Sequence, residues 1–261
     1  IQFFKQRSYQ RGLREAFRAG KRRFVCLWHR RAGKDRNGLA FCLECMLERV
    51  GVYYHIFPSL NQGRRDVWTN ILQETHNGVE RSFRMMEMFP TFLNPSPNNF
   101  VKHTDNTEMK VELINGSIYQ IVGADDQPAI DRLRGPNPIG LIFSEYAHGT
   151  MMDSAWKTLS PVLAENGGWA LFVYTPNGPN HGKQRYEIAC ANPDLWYTQK
   201  LTVDDTFRDA EGENGARVVS EETIAAERLE HREEWIQQEY YCSFTGYQFG
   251  TIYGDCIAAM E

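Results

Sequence analysis

The chain has 261 residues, 42% of them hydrophobic and 24% charged, with a formal net charge of −4. This is the composition of an ordinary globule with room for one large α/β domain, or for a large core plus a small appendage. No run is long and apolar enough to cross a bilayer, and six irregularly spaced cysteines do not make a secreted disulfide framework, so a reduced, cytosolic setting is expected. The opening at Ile1 rather than Met and the abrupt end at Glu261 suggest a piece of something longer. The small net charge hides a polarity. Residues 1–36 hold twelve Lys/Arg against two acids (Glu15 and Asp35), and residues 204–261 hold four Arg against fourteen acids. Such ends point to polyanion contact, to head-to-tail packing of subunits, or to a merely solvated surface.

In chain order, Arg7 to Ala19 reads as a short helix with Leu13 and Phe17 on one face. Phe24 to Trp28 is a short apolar strand, and an apolar-periodic helix begins near Leu39. Cys42-x-x-Cys45 lies in that helix; lacking a second Cys or His pair at zinc spacing, it reads as buried positions. Val52–Phe57 is a second buried strand, closed by Pro58, and Leu60 to Thr75 carries helical spacing at Val67, Ile71 and Leu72. Residues 90–106 read as a Pro/Asn-rich loop. Asn115-Gly116, between Glu108–Leu113 and Ser117–Val122, is the strongest hairpin signal in the chain. Ile139–Phe143 is all apolar, as a parallel strand covered on both faces should be. A helix around Asp153–Ala164, a strand Trp169–Tyr174, a helix around Lys183–Ala191 and a strand Trp196–Thr202 follow. After a linker over 207–219, Ser220-x-x-Thr223 opens one long charged helix to about Tyr241. Strands alternating with helices predict a doubly wound α/β fold with a mostly parallel sheet over residues 1–206, and 207–261 form a small helical lid or linker subdomain.

Three motifs carry chemistry. Between the first strand and its helix lies His29-Arg30-Arg31-Ala32-Gly33-Lys34-Asp35-Arg36. A tight polar loop ending in Gly-Lys before a helix is the layout of a phosphate-binding loop, in which backbone N–H groups and a helix N-terminus face an anion. In the pattern G-x-x-x-x-G-K-[ST], the first glycine is here Trp28 and the final hydroxyl residue is Asp35. The second motif is Ser144-Glu145 at the end of the Ile139–Phe143 strand, where open α/β sheets place their chemistry. The third is Thr175-Pro176-Asn177 after the following strand, a turn able to sense a terminal phosphate.

With these residues in order, the chain resembles the ATPase portion of the large terminase subunit of tailed bacteriophages. The matching pieces are Tyr9-Gln10, like the family's adenine-reading glutamine segment, the loop Arg30 to Asp35, Leu133-Arg134-Gly135, the strand ending Ser144-Glu145, and Thr175-Pro176-Asn177. The resemblance implies a P-loop ATPase of the additional-strand (ASCE) type, acting as a homo-oligomeric ring, expected to be a pentamer, on a viral portal protein. Such a ring would drive double-stranded DNA into a capsid in the host cell cytoplasm, with a small terminase subunit as a further partner. The family's nuclease half is not evident; Tyr253-Gly254-Asp255 would be its first residues.

The resemblance also implies roles. Lys34, with the N–H groups of residues 31–35, would hold the β- and γ-phosphates of ATP, the loop being completed by Arg30, Arg31, Ala32, Gly33 and Arg36. Asp35, Ser144 and Glu145 would face Mg²⁺. The two departures from the family pattern, Asp35 for a hydroxyl and Ser144 for a carboxylate, look like an exchange that keeps one of each. Glu145 would polarise the attacking water. Arg134, left on a loop by Gly135-Pro136, and Arg30 and Arg31 are the arginine-finger candidates. The competing classes are a helicase-like nucleic-acid-stimulated ATPase and a non-hydrolysing assembly protein that keeps the fold.

Overall fold

The computed structural model describes residues 4–76 and 79–245. In chain order its strands are β1 (Arg23–Trp28), β2 (Val52–Phe57), β3 (Ile71–His76), β4 (Val79–Arg84), β5 (Val101–Asp105), β6 (Lys110–Leu113), β7 (Ile118–Gly123), β8 (Gly140–Ser144), β9 (Trp169–Tyr174) and β10 (Trp196–Leu201). The helices are α1 (Arg11–Arg18), α2 (Lys34–Glu48), α3 (Leu60–Gly63), α4 (Gln127–Arg132), α5 (Met152–Asn166), α6 (His181–Ala191), α7 (Glu221–Glu230) and α8 (Glu233–Tyr241). Eight strands form one sheet in the order β10-β1-β9-β8-β2-β7-β6-β5. Neighbours from β10 to β7 are parallel, whereas β6 and β5 run antiparallel at one edge.

The central strands are mainly apolar, with His55 and Ser144 as buried exceptions, because both faces of the sheet are covered. Alternate residues divide between two cores. Phe24, Cys26 and Trp28 of β1 join Tyr53, Ile142 and Leu171 under α2, together with Leu39, Leu43 and Met46 of that helix. Val25 and Leu27 join Tyr54, Leu141, Phe143 and Phe172 under α5, whose Ala155, Trp156 and Leu159 close the opposite layer. The expected doubly wound, mostly parallel fold is therefore present. The Asn115-Gly116 turn is also present, with Gly116 at φ 90° and the Leu113 N–H donating to the Ser117 carbonyl at 2.9 Å.

Three expectations needed correction. The run Leu60 to Thr75 is not one helix. After α3 comes a single wide turn, Arg64–Trp68, and then the two-stranded hairpin β3–β4. Thr69 Oγ1 and Asn70 Nδ2 donate to the carbonyls of Arg64 and Asp66, capping the turn. Ile71 then lies 62% exposed, so its helical spacing from Val67 was coincidence, and the β-branched residues follow their strand preference. The second correction is β5, inside the expected loop of 90–106. It is a short, largely polar edge strand, and an edge that meets water has little apolar pattern to show. The third is the C-terminal helix, which starts as expected with Ser220 Oγ accepting from the Thr223 N–H but breaks at His231-Arg232. On one straight helix at 100° per residue, Ile236 and Tyr240 would point roughly 120° and 160° away from Ile224. All three are buried, and the break lets them reach the same core. Tyr253-Gly254-Asp255 lies outside the described residues.

The charged ends of the chain partly meet each other. Arg7 forks onto Glu213 (2.6 Å at the closest), the Ser8 N–H donates to Asp209, and Arg30 lies 3.6 Å from Glu239. Among the described residues the five cysteines are free thiols, and no helix is long and apolar enough to cross a membrane.

Candidate active site

Because β1, β9 and β8 are parallel neighbours, the turns at their C-terminal ends open on the same edge of the sheet, where this fold class places its ligands. The strand carrying the phosphate loop and the strand carrying Ser144-Glu145 are separated by one strand, β9. This is the additional strand that the family resemblance implies.

The loop runs from His29 to Gly33. Trp28, in place of the customary glycine, is still part of β1: its indole is buried in the α2-side core, edge-on to Tyr9 with centroids 5.7 Å apart. Arg31 and Gly33 take left-handed backbone conformations (φ 73° and 75°), which fold the loop tightly before α2 begins at Lys34. The first N–H groups of a helix have no intrahelical acceptor and, with the helix dipole, favour an anion in front of them. The base of the loop is tied down. The Tyr9 hydroxyl donates to the Ala32 carbonyl (3.0 Å), and the Arg30 N–H donates to the Glu239 carbonyl of α8 (2.8 Å). His29 Nε2 lies 2.8 Å from Thr206 Oγ1, and burial lowers its pKa to about 4, so this ring stays neutral.

A cleft of about 920 Å³ opens in front of the loop, a volume suited to a small-molecule ligand. Lys34 Nζ stands 2.8 Å from Glu145 Oε1, and His148 Nδ1 stands 3.3 Å from Glu145 Oε2. Burial opposes ionisation of both partners of the ion pair. The mutual attraction outweighs it, holding Glu145 below the usual carboxylate range and Lys34 above its ordinary value. Glu145 itself has φ 54° and ψ 38°, a conformation uncommon outside glycine and Asn/Asp, which turns its side chain back towards the loop. Behind this pair, Ser144 Oγ donates to Asp35 Oδ1 at 2.6 Å. Burial first, and then the charge of Glu145, raise the Asp35 pKa against the opposing influence of Lys34.

The structure gathers Arg30, Arg31, Gly33, Lys34, Asp35 and Arg36 around this cleft with Glu145 and Thr175. Ser144 is fully buried behind Asp35. Ala32 is buried, and Tyr9 supports it from below. Gln10 is fixed by accepting from the Arg7 N–H and faces a second cavity of about 380 Å³ with Phe4, Phe83 and Arg36. Asn177 lies 3.4 Å from the Ala147 carbonyl and so braces the segment after Glu145. Arg134 follows α4 outside the cleft lining; its guanidinium is 60% exposed and lies 3.3 Å from Asp131. Three site neighbours were not singled out from sequence: His148, and the pair His55 and Tyr119 behind Ser144. A histidine inside the apolar run Val52–Phe57 was the available signal, since a buried polar residue is the informative exception in a core strand.

The donors near Asp35 suit a small hard cation. Asp35 and Ser144 offer a carboxylate and a hydroxyl, and Asp66 faces the same cleft. No three His, Cys, Asp or Glu residues converge on a point among the described residues. Magnesium is commonly held by one or two carboxylates together with substrate phosphates and water, so this donor set fits it.

The fold is that of P-loop NTPases of the additional-strand type. No family model matches the sequence, and no curated protein matches it. Solved structures do. The large terminase ATPase domain of Thermus phage P74-26 superposes with a TM-score of 0.58 at 18% identity, over 92% of this chain and 94% of that one. The large terminase of a second, thermophilic bacteriophage, in complex with ADP, gives a TM-score of 0.61 at 15% identity, over 87% of this chain and 49% of that one. Another crystal of that thermophilic phage terminase gives 0.63 at 13% identity, over 92% and 53%. The chain thus has the fold of large terminase ATPase domains and spans about half the length of the second phage's protein.

The Lys34–Glu145 pair makes an expectation for acid stability. Glu145 titrates lower folded than unfolded, so its contribution is complete above its unfolded pKa and is lost as pH falls through the folded value. In the nucleotide-free protein, Glu145→Gln should cost about 1.5–3 kcal/mol near neutrality, the worth of a hydrogen bond to a charged group. Urea denaturation should show the gap between wild type and variant closing as pH is lowered from about 5 to about 2. A gap independent of pH would show that the pair contributes nothing.

Proposed function

We propose that the chain is the ATP-hydrolysing motor domain of a viral large terminase subunit, which translocates double-stranded DNA into a procapsid. The observation that carries this reading is the meeting of Lys34 and Glu145 in one cleft, delivered by two parallel strands with a third between them. The fold shared with terminase ATPase domains supports it, as does the ADP bound to the thermophilic phage terminase. On this reading residues 1–206 are the ATPase core, and 207–261 are a lid or linker subdomain leading toward a nuclease domain. Its partners are DNA, the portal protein, the small terminase subunit and other copies of the chain in a ring, taken as a pentamer, in the host cytoplasm.

In the nucleotide-free site the two principal groups neutralise each other. The terminal phosphates of ATP, held by the N–H groups of residues 31–35, draw Lys34 away from Glu145. Glu145 then has a free carboxylate oxygen with which to orient and deprotonate a water, and His148 still steadies its other oxygen. Bound magnesium supplies charge stabilisation of the phosphates, and Asp35 and Ser144 are the residues to hold it, directly or through water. Gln10 reads the base, and Thr175 faces the phosphate end of the cleft. Developing charge in phosphoryl transfer is further stabilised by an arginine. Arg134 is assigned that role across a subunit boundary, because its side chain is exposed and, among the described residues, held by an i,i+3 partner.

Glu145→Gln should lower phosphate release about 10²–10⁴-fold, the usual worth of a positioned base, with nucleotide binding retained. Lys34→Ala should instead weaken binding. Full turnover by Glu145→Gln would remove the assignment, and binding without turnover by the wild type, with and without portal, would favour the non-hydrolysing assembly role.

If Asp35 and Ser144 are an exchanged pair, Asp35→Thr should be severely impaired, and Asp35→Thr combined with Ser144→Asp should regain part of the activity. Groups in contact couple by about 0.5–3 kcal/mol, so strictly additive defects would argue against the exchange.

Arg134→Ala and Glu145→Gln subunits, each inactive alone, should recover some hydrolysis when mixed under assembling conditions, because a head-to-tail ring rebuilds sites with one intact group from each chain. Assembly without recovery would move the finger to Arg30 or Arg31 of the same chain.

A further inference from the structure

A chain of polar groups runs through the core behind the cleft. Tyr119 Oη lies 2.8 Å from His55 Nδ1, His55 Nε2 lies 2.7 Å from Ser144 Oγ, and Ser144 Oγ lies 2.6 Å from Asp35 Oδ1. It crosses three neighbouring strands, β7, β2 and β8, and ends on the first turn of α2. Tyr119, His55 and Ser144 have no exposed surface. A polar group buried in this way is costly unless bonded, and here each one is.

Counting hydrogens fixes the direction. The Tyr119 hydroxyl has no other hydrogen-bond partner among the described residues, so its hydrogen goes to His55 Nδ1. The hydrogen of the neutral ring is then on Nε2 and is donated to Ser144 Oγ, which leaves the serine hydrogen for Asp35. The serine oxygen retains one uncommitted lone pair.

We propose that His55, backed by Tyr119, is a positioning residue for the cation-side pair Asp35–Ser144. Where the usual carboxylate has two oxygens and little freedom, a serine has a single oxygen on a freely rotating bond. It needs a donor behind it to keep that oxygen directed at its carboxylate partner. The imidazole N–H of His55 supplies the donor, and Tyr119 fixes the tautomer. His55 and Tyr119 are thus what makes a serine serviceable at this strand end. The role rests on reading Asp35 and Ser144 as the magnesium-side residues, and outer partners of metal ligands commonly change metal affinity or activity 10–100-fold.

The test measures binding of a non-hydrolysable ATP analogue to the 261-residue protein, in excess EDTA and across a MgCl2 titration. Wild type should bind in both conditions and more tightly with magnesium. If it binds in neither, the nucleotide reading itself fails. If it binds without responding to magnesium, the cation-side reading fails. His55→Phe keeps a ring but removes the donor, and it should need about 10–100-fold more magnesium while its affinity in EDTA is unchanged. His55→Gln, whose amide can donate in place of Nε2, should recover most of that loss, and Tyr119→Phe should shift the magnesium requirement in the same direction by less. An unchanged magnesium requirement in folded His55→Phe overturns the proposal. So does equal loss in EDTA by the Phe and Gln variants, which would mark a purely structural residue. Should His55→Phe not fold, ¹⁵N NMR of the wild-type imidazoles decides: hydrogen on His55 Nε2 is required, and hydrogen on Nδ1 refutes the arrangement.

Discussion

The strand β9, hydrogen-bonded in parallel to β1 on one side and β8 on the other, sets the geometry on which everything else in the site depends. Adjacent strands lie about 4.8 Å apart, so the loop strand and the acidic strand are held about 10 Å from each other. That gap is too wide for their short loops to touch and about right for a phosphate group and a water. Two contacts cross it from the first turn of α2: Lys34 closes on Glu145 at 2.8 Å, and Asp35 meets Ser144 at 2.6 Å. The ion pair is therefore a consequence of sheet order. It ties Lys34 to one oxygen of Glu145, while His148 lies against the other.

The two departures from the common phosphate-loop pattern have physical explanations in the structure. Trp28 is tolerated because its side chain belongs to the core and leaves the loop backbone free. Asp35 and Ser144 touch each other, so a carboxylate and a hydroxyl still meet where the loop helix faces the acidic strand, from opposite sides. The buried histidine is the compensating change on the sheet side, and it is accommodated because α2 and the aromatic residues around β2 exclude water from it. Burial lowers the His55 pKa to about 3, which keeps it a neutral donor.

Legibility in the sequence followed burial. β1, β2, β8 and β9 are covered on both faces, so their mainly apolar runs announced them, and with them the order of the loop, the acidic strand end and the Thr175 turn. β3, β4 and β5 lie at edges or outside the main sheet, where solvent accepts polar residues and the pattern fades; Ile71 even mimicked a helical repeat. The break between α7 and α8 was hidden because no proline or glycine marks it, only the need to bury Ile224, Ile236 and Tyr240 together. Within the site, side chains that follow a local motif were readable. The His55–Tyr119 support was not, because residues 64 positions apart become neighbours only through strand order.

The phosphate loop hangs between rigid anchors: the His29 N–H is bonded to the Leu201 carbonyl at the end of β10, and the Arg30 N–H to the Glu239 carbonyl on α8. The same Leu201 carbonyl also accepts from the Cys242 thiol just after α8. The loop, the end of β10 and the last helix thus form a single stitched seam. The backbone at Arg30 is in this way coupled directly to α8 through the Glu239 carbonyl.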